Sequence, residues 1–289
     1  MSPELPTGVL CMAYGSPATE ADIEPYYTHI RGGRKPTPEA LDELTARYRA
    51  IDGSPLTAVT RAQAAALGEQ LHLPTFVGMK HAPPFIGDGA AEAKAAGIKR
   101  LVALPLAPHF AEMSVGGYRR ALAATWDGDL VFIPGFHDHS AFIGAVRTVL
   151  SEALAESWPD HLFFTAHSLP ARIVAEGDGY HDRLLESCRL VEAGMKLPKW
   201  ESAFQSASTT GEPWLGPDLL VALERSGARN VLVCPIGFVA DHLEVLYDLD
   251  VEAQAFARGN GISIRRTASF NTRPDFIEAM AAVVIDALR

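Results

Sequence analysis

The sequence predicts an α/β fold built from two similar halves, each a parallel sheet with crossover helices. Three observations carry this. Short apolar runs bounded by Gly and Pro alternate with longer segments of helical period, the pattern of strand–helix–strand units with right-handed crossovers. At 289 residues and 48% apolar composition the chain can bury a large core and form two domains or one large α/β unit. The second half also restates the first. The stretch from Gly97 to Leu106 has the pattern of that from Gly227 to Ile236, and Cys11 to Pro17 resembles Phe164 to Pro170, in the same order. The expected domains are 1–150 and 151–289, with the last helix, about 274–288, packing back on the first.

In chain order, Val9 to Ala13 is a first buried strand, ended by Tyr14-Gly15-Ser16-Pro17. Asp22 to Ile30 is helical and leads into the basic, Gly-rich loop from Arg31 to Pro36. Thr37 and Pro38 supply an N-cap and a first helical position for a helix to about Ala50. After a turn through Ser54, Thr60 to Leu71 is an Ala-rich helix, and Phe76 to Met79 is a short strand delivering Lys80 and His81 at its end. Ala90–Ala96 and 114–125 are helical, separated by the strand Leu101–Leu106. Leu130–Ile133 is a further strand, and a helix from about Ala141 to Ser157 leads into the second half. There the apolar runs Leu162–Ala166 and Val231–Cys234 are buried strands, and Pro274–Leu288 is an amphipathic closing helix. By the internal match, Tyr14 and His167 occupy equivalent strand ends facing one cleft.

Composition narrows the function classes. The formal charge of −10 argues against nucleic acid as the main partner. Cys11, Cys188 and Cys234 are too few and scattered for a disulfide framework, and no CxxC spacing offers a cluster or structural zinc site. Met1 to Thr7 lacks the features of a signal peptide, and no apolar run approaches the ~18 residues needed to span a bilayer. A soluble, cytoplasmic protein is expected.

The chemistry is concentrated from Pro235 to Glu252. Glu244, Asp248 and Glu252 recur every fourth position on a predicted helix and share a face. On an ideal α-helix each step of four drifts by about 40°, and a π-type widening would bring them nearly into line. Three carboxylates in file form either a solvated acidic face or a set of oxygen ligands for a divalent cation, with Asp241 and His242 one turn away. Their position after the carboxyl end of a buried strand, where α/β proteins place ligands, favours the second reading.

His167 also ends an apolar run. A neutral imidazole there is a proton acceptor, a metal ligand or a hydrogen-bonded structural group. No G-x-S-x-G elbow accompanies the adjacent Ser168, which discounts hydrolase chemistry. Arg31, Arg34, Lys35, Arg47 and Arg49 crowd one short stretch, either as a solvated face or as a grip for an anionic small molecule. Ser54 and Tyr118 offer hydroxyls to the same ligand or serve their turns, while Lys80 and His81 extend the lining. Trp214, in a loop bounded by Pro and Gly, either stacks on a flat ligand or seals the loop on the core.

Taken together these segments resemble the ferrochelatases over nearly the whole chain. The resemblance rests on Met12-Ala13-Tyr14-Gly15, Tyr26 to Arg31, Tyr48 to Ile51, Ser54-Pro55-Leu56, Ala166 to Pro170, Pro213 to Pro217 and Gly237 to Glu244, in the family's order. It is nearest to the soluble bacterial branch that makes iron coproporphyrin, because Thr19 to Glu24 gives a polar edge in place of an apolar lip. The family's usual turn before Ser54 is one residue longer, and Gly32 stands where a basic residue is common.

The resemblance implies two Rossmann-like, chelatase-type domains around a porphyrin cleft and insertion of Fe2+ with release of two pyrrole protons. His167 would accept a proton or ligate iron, with Glu244 facing it as acceptor or ligand. Asp248 and Glu252 would pass hydrated cations along the helix or hold a regulatory Mg2+. Tyr14 would lie against the macrocycle. Arg31, Arg47, Ser54 and Tyr118 would anchor propionates, and Lys80, His81 and Trp214 would shape the pocket. An iron–sulfur cluster is not expected. Coproporphyrin III is the expected substrate, with protoporphyrin IX the nearest alternative, cobalt or nickel chelation of a more carboxylated tetrapyrrole another, and a non-catalytic haem carrier a third. A monomer passing its product to a downstream haem-pathway enzyme completes the expectation.

Overall fold

The computed structural model describes residues 5–208 and 211–289, so residues 1–4 of the amino-terminal stretch read above lie outside the described residues. The chain divides into two compact units. One holds the described residues up to Phe136 together with Ala240–His242 and Asn271–Arg289; the other holds His137–Val239 and Leu243–Phe270.

The first unit contains β1 (Thr7–Ala13), α1 (Ile23–Ile30), α2 (Pro38–Ala50), α3 (Leu56–Leu71), β2 (Thr75–Met79), α4 (Ile86–Ala95), β3 (Arg100–Pro105), α5 (Val115–Ala123) and β4 (Asp129–Phe132). Its strands form one parallel sheet in the order β2-β1-β3-β4. From Val9 to Met12 β1 is buried at every residue, as expected of a strand with helices on both faces. The Thr37 hydroxyl accepts a hydrogen bond from Ala40 N at 3.3 Å and Pro38 opens the helix, so α2 starts where its cap dictates. Leu10, Met12, Phe76, Ile86, Leu101, Tyr118, Leu122 and Trp126 form the core. Each such large apolar side chain contributes about 1.5–3 kcal/mol on burial.

The second unit contains α6 (Ser140–Glu156), β5 (His161–His167), α7 (Arg172–Ala175), α8 (Tyr180–Ala193), β6 (Lys199–Gln205), α9 (Leu219–Ser226), β7 (Asn230–Cys234), α10 (Leu243–Leu246), a π-helical turn (Asp248–Ala253), α11 (Gln254–Gly259) and β8 (Ser263–Arg266). Its parallel sheet runs β6-β5-β7-β8, the same order strand for strand as in the first unit. The internal match in the sequence is thus a match of topology. The first unit ends at Phe136 rather than near 150, because α6 packs against α8 and so belongs to the second sheet. The closing helix, α12 (Pro274–Ala287), is part of the first unit and packs on α3.

Four elements extend the sequence expectation: α7, α8, α9 and the edge strand β8. The four-residue β8, Ser263-Ile264-Arg265-Arg266, carries only one buried apolar residue and no period to read. The helix bearing the acids is α-helical only at its ends. Val245, Leu249, Ala253 and Ala257 recur at intervals of four and all lie in the second core. An unbroken α-helix would rotate that stripe off the core by about 40° per step. The π-turn absorbs the drift, marked by a bond from Glu252 N to Tyr247 O of 2.9 Å.

Candidate active site

In each unit the residues of interest follow the carboxyl ends of the parallel strands, where open α/β sheets bind ligands. In the second unit His167 closes β5, Gln205 closes β6 and Glu244 is the second residue of α10. The His167 Nε2 atom lies 3.2 Å from Glu244 Oε1, and the two side chains are 31% and 29% exposed, enough for a metal or proton to reach them. The close approach needs Gly237, on the segment joining β7 to α10. A Cβ there would stand 2.6 Å from Ala166 Cβ and 2.7 Å from Ala166 Cα.

Burial opposes a charge on His167 and is the largest single influence on it. The charge and hydrogen bond of Glu244, the Ser168 carbonyl accepting from Nδ1, and the charge of Asp248 together outweigh it, so the imidazole is pushed up to about 9. At neutral pH the pair is an imidazolium and a carboxylate. Because the folded value lies above the ordinary one near 6.5, the pair's contribution to stability is complete below pH 6.5 and is lost as pH rises through about 9. The difference in denaturant midpoint between wild type and His167→Asn should therefore shrink across that window. A difference that stays constant would refute the pairing.

The surroundings of this pair come largely from residues to which sequence reasoning assigned no role. The buried Tyr180 hydroxyl donates to the His167 carbonyl at 3.0 Å. The Gln205 amide donates to the Glu244 carbonyl, and the Ser206 hydroxyl to Asp248. Their legible signal was a polar pair, Gln205-Ser206, closing a buried strand. Ser168 is buried with its hydroxyl donating to Leu215 O at 2.7 Å, so it holds a loop and is no nucleophile. That loop carries Trp214, which is half-buried rather than exposed and bridges to Pro170 through the backbone. Asp241 exchanges two hydrogen bonds with Asn271, of 2.9 and 2.8 Å, and is structural.

The acidic file is graded. Asp248 is 6% exposed and taken up by Ser206, whereas Glu252 is exposed. Among the described residues, the one group of three or more His, Cys, Asp and Glu ligand atoms within 4.8 Å of one another is His137, Asp138 and Glu186. His167, Glu244, Asp248 and Glu252 are not such a group. Of the four, His167 and Glu244 are in contact at 3.2 Å, and the charge of Asp248 also acts on His167.

In the first unit Tyr14, Lys80 and His81 assemble where β1 and β2 end. Lys80 N and His81 N donate to the carbonyls of Ala13 and Tyr14, each at 2.9 Å. The Tyr14 and His81 rings lie 4.5 Å apart between centroids, and Lys80 Nζ stands 5.9 Å from the Tyr14 ring and 5.7 Å from that of Tyr118. Burial, then Lys80 and His29, depress the His81 imidazole to about 3, so it is neutral. Its Nδ1 is 2.9 Å from His29 Nδ1. Tyr118 is 4% exposed and part of the core.

Ser54 accepts a bond from Leu56 N at 3.4 Å within its turn. Arg47, Arg49 and Lys35 are paired with Glu43, Glu20 and Glu24. The Arg31 guanidinium lies 5.6 Å from the Tyr27 ring centre, with its Nε buried and without a hydrogen-bond partner among the described residues.

A family model described as Ferrochelatase matches residues 6–288. The chain belongs to the ferrochelatase family. It is accordingly a porphyrin metal chelatase, a lyase of haem biosynthesis for which ferrous iron is a substrate. A ferrochelatase of Herpetosiphon aurantiacus is 39% identical, over 96% of this chain and 98% of its own. Coproporphyrin III ferrochelatases of Bacillus pumilus and Bacillus subtilis are each 39% identical, over 97% of both chains. Among solved structures, SirB from Bacillus subtilis with Fe3+ superposes with a TM-score of 0.63 at 10% identity, covering 98% of this chain and 96% of that one. CbiX, the terminal enzyme for biosynthesis of siroheme in denitrifying bacteria, gives 0.59 at 13% identity over 98% and 100%. These two share the chelatase-type fold. Among the described residues, no helix is long and apolar enough to cross a membrane. Burial pushes the thiols of Cys11 and Cys234 up to about 12 and raises that of Cys188, which keeps all three neutral.

Proposed function

We propose that this chain inserts Fe2+ into coproporphyrin III, with His167 and Glu244 as the pair that meets the metal and takes the pyrrole protons. The observation that carries the reading is the 3.2 Å contact of His167 Nε2 with Glu244 Oε1 at a sheet's carboxyl end. Insertion replaces two N–H bonds by metal–nitrogen bonds and sets two protons free. It needs a base near the macrocycle and a group that can exchange the iron's water. An imidazole and a carboxylate sharing one proton supply both, because either can accept a proton or offer a lone pair to a borderline cation. As iron approaches, the proton held by His167 passes to Glu244 or to water, and the freed nitrogen is available. Asp248, buried beside Ser206, adds its charge next to His167, and the exposed Glu252 continues the acidic face outward, where protons or hydrated cations can leave or arrive.

The choice of coproporphyrin III is supported by the names of the Bacillus relatives, which match across nearly the whole chain. The buried Nε of Arg31, without a hydrogen-bond partner among the described residues, suits a propionate of the porphyrin, since a carboxylate is the natural acceptor for that donor. Coproporphyrin carries propionates where protoporphyrin IX carries vinyl groups. Anaerobic assays with Fe2+ and each porphyrin, followed by loss of porphyrin fluorescence, should give coproporphyrin III a kcat/KM at least about tenfold higher, or about 1.4 kcal/mol. Equal or faster turnover of protoporphyrin IX would overturn the substrate assignment.

A further inference from the structure

We propose that Gln205 is a positioning residue for metal insertion, setting the separation of His167 and Glu244 by tying the two segments together from one buried position. The proposal rests on reading His167 and Glu244 as the reacting pair. Gln205 is the last residue of β6, is 3% exposed, and stands directly opposite His167 in the parallel register of β5 and β6. Its carbonyl accepts from Ser168 N at 2.7 Å, which fixes the chain immediately after His167. Its side-chain Nε2 donates to the Glu244 carbonyl at 2.5 Å. Backbone and side chain of one residue thus hold the neighbour of one partner and the main chain of the other. Glu244 lies in the first turn of the helix that continues through the π-turn into α11, so the bond to its carbonyl acts at that helix's starting end.

Packing alone does not account for a glutamine here. Its Oε1 is buried and takes no hydrogen bond among the described residues, a cost that offsets part of what the Nε2 bond to Glu244 contributes. A polar tether kept at that cost is explained by placement. Reacting groups must be held to about 0.5 Å, and a displacement of 1 Å can lower a rate about 100-fold.

The test compares Gln205→Leu and Gln205→Asn with wild type, alongside His167→Ala and Glu244→Ala, in the anaerobic Fe2+ assay with coproporphyrin III. Gln205→Leu removes the donor, and Gln205→Asn withdraws it by one methylene. Both should lower kcat by about 10- to 100-fold. Porphyrin KM and directly measured porphyrin affinity should stay within about twofold, and the thermal midpoint should stay well above the assay temperature, a split that a packing role would not produce. Unchanged kcat in both Gln205 variants, with His167→Ala and Glu244→Ala inactive, would overturn the positioning role alone. A kcat loss that follows a lower midpoint and weaker porphyrin binding would overturn it as well, in favour of simple packing. Normal turnover by His167→Ala and Glu244→Ala would remove the premise instead. If Gln205→Leu fails to fold, Gln205→Asn carries the same comparison.

Discussion

His167→Ala is expected to lower kcat for iron insertion by about 10²- to 10⁴-fold, the range of a positioned acid–base group, while porphyrin affinity stays near that of wild type. The substitution removes the nitrogen that meets Glu244 at 3.2 Å and leaves the carboxylate without its cationic partner. The fold should persist, because the contacts that hold this strand end are to the backbone. Tyr180 still donates to the residue 167 carbonyl, and Ser168 N still donates to Gln205 O. Steady-state kinetics with parallel fluorescence titration of porphyrin makes the measurement. A variant that binds porphyrin and turns it over within about threefold of wild type would remove His167 from the chemistry and, by the same range, return it to a structural role.

Gly237→Ala should produce the largest loss of stability from a single methyl group in the second unit. The new Cβ would lie 2.6 and 2.7 Å from Ala166 Cβ and Cα, and neither can rotate away. Overpacking of this kind costs about 1–3 kcal/mol or more. Relief must shift either the end of β5 or the segment that leads to Glu244, so kcat should fall together with the unfolding midpoint. Gly144→Ala is the matched control. Its Cβ would meet nothing within 4 Å in the body of α6, and replacing a helical glycine should raise stability by about 0.5–1 kcal/mol. Equal midpoints for the two variants would show that the close approach at Gly237 carries no strain.

Much of the site was legible because its residues end apolar runs. His167, Lys80 and His81 each follow a buried strand, and the position of a polar group after such a run needs only the hydrophobic pattern to recognise. The acidic file was legible from spacing alone, and the interval of four left an ideal α-helix and a π-type widening both open; the structure has the widening. What spacing did not reveal is that the three carboxylates differ. Glu244 meets a histidine, Asp248 is buried under a serine and Glu252 faces solvent. A helical period places residues on a face but carries no information about what crosses from a neighbouring strand. The cationic stretch shows the same limit, because Lys35, Arg47 and Arg49 found carboxylates on the protein itself while Arg31 Nε found no acceptor among the described residues.

By itself the sequence determined the fold class, the likeness of the two halves and the residues at most strand ends, since these follow from local period and from a chain that repeats its own pattern. Tertiary structure alone decided the partners. Gln205 and Glu244 are 39 residues apart, Tyr180 and His167 are 13, and Ser206 and Asp248 are 42. Such contacts arise from the register of parallel strands and the reach of one side chain, quantities that exist only once the sheet has formed.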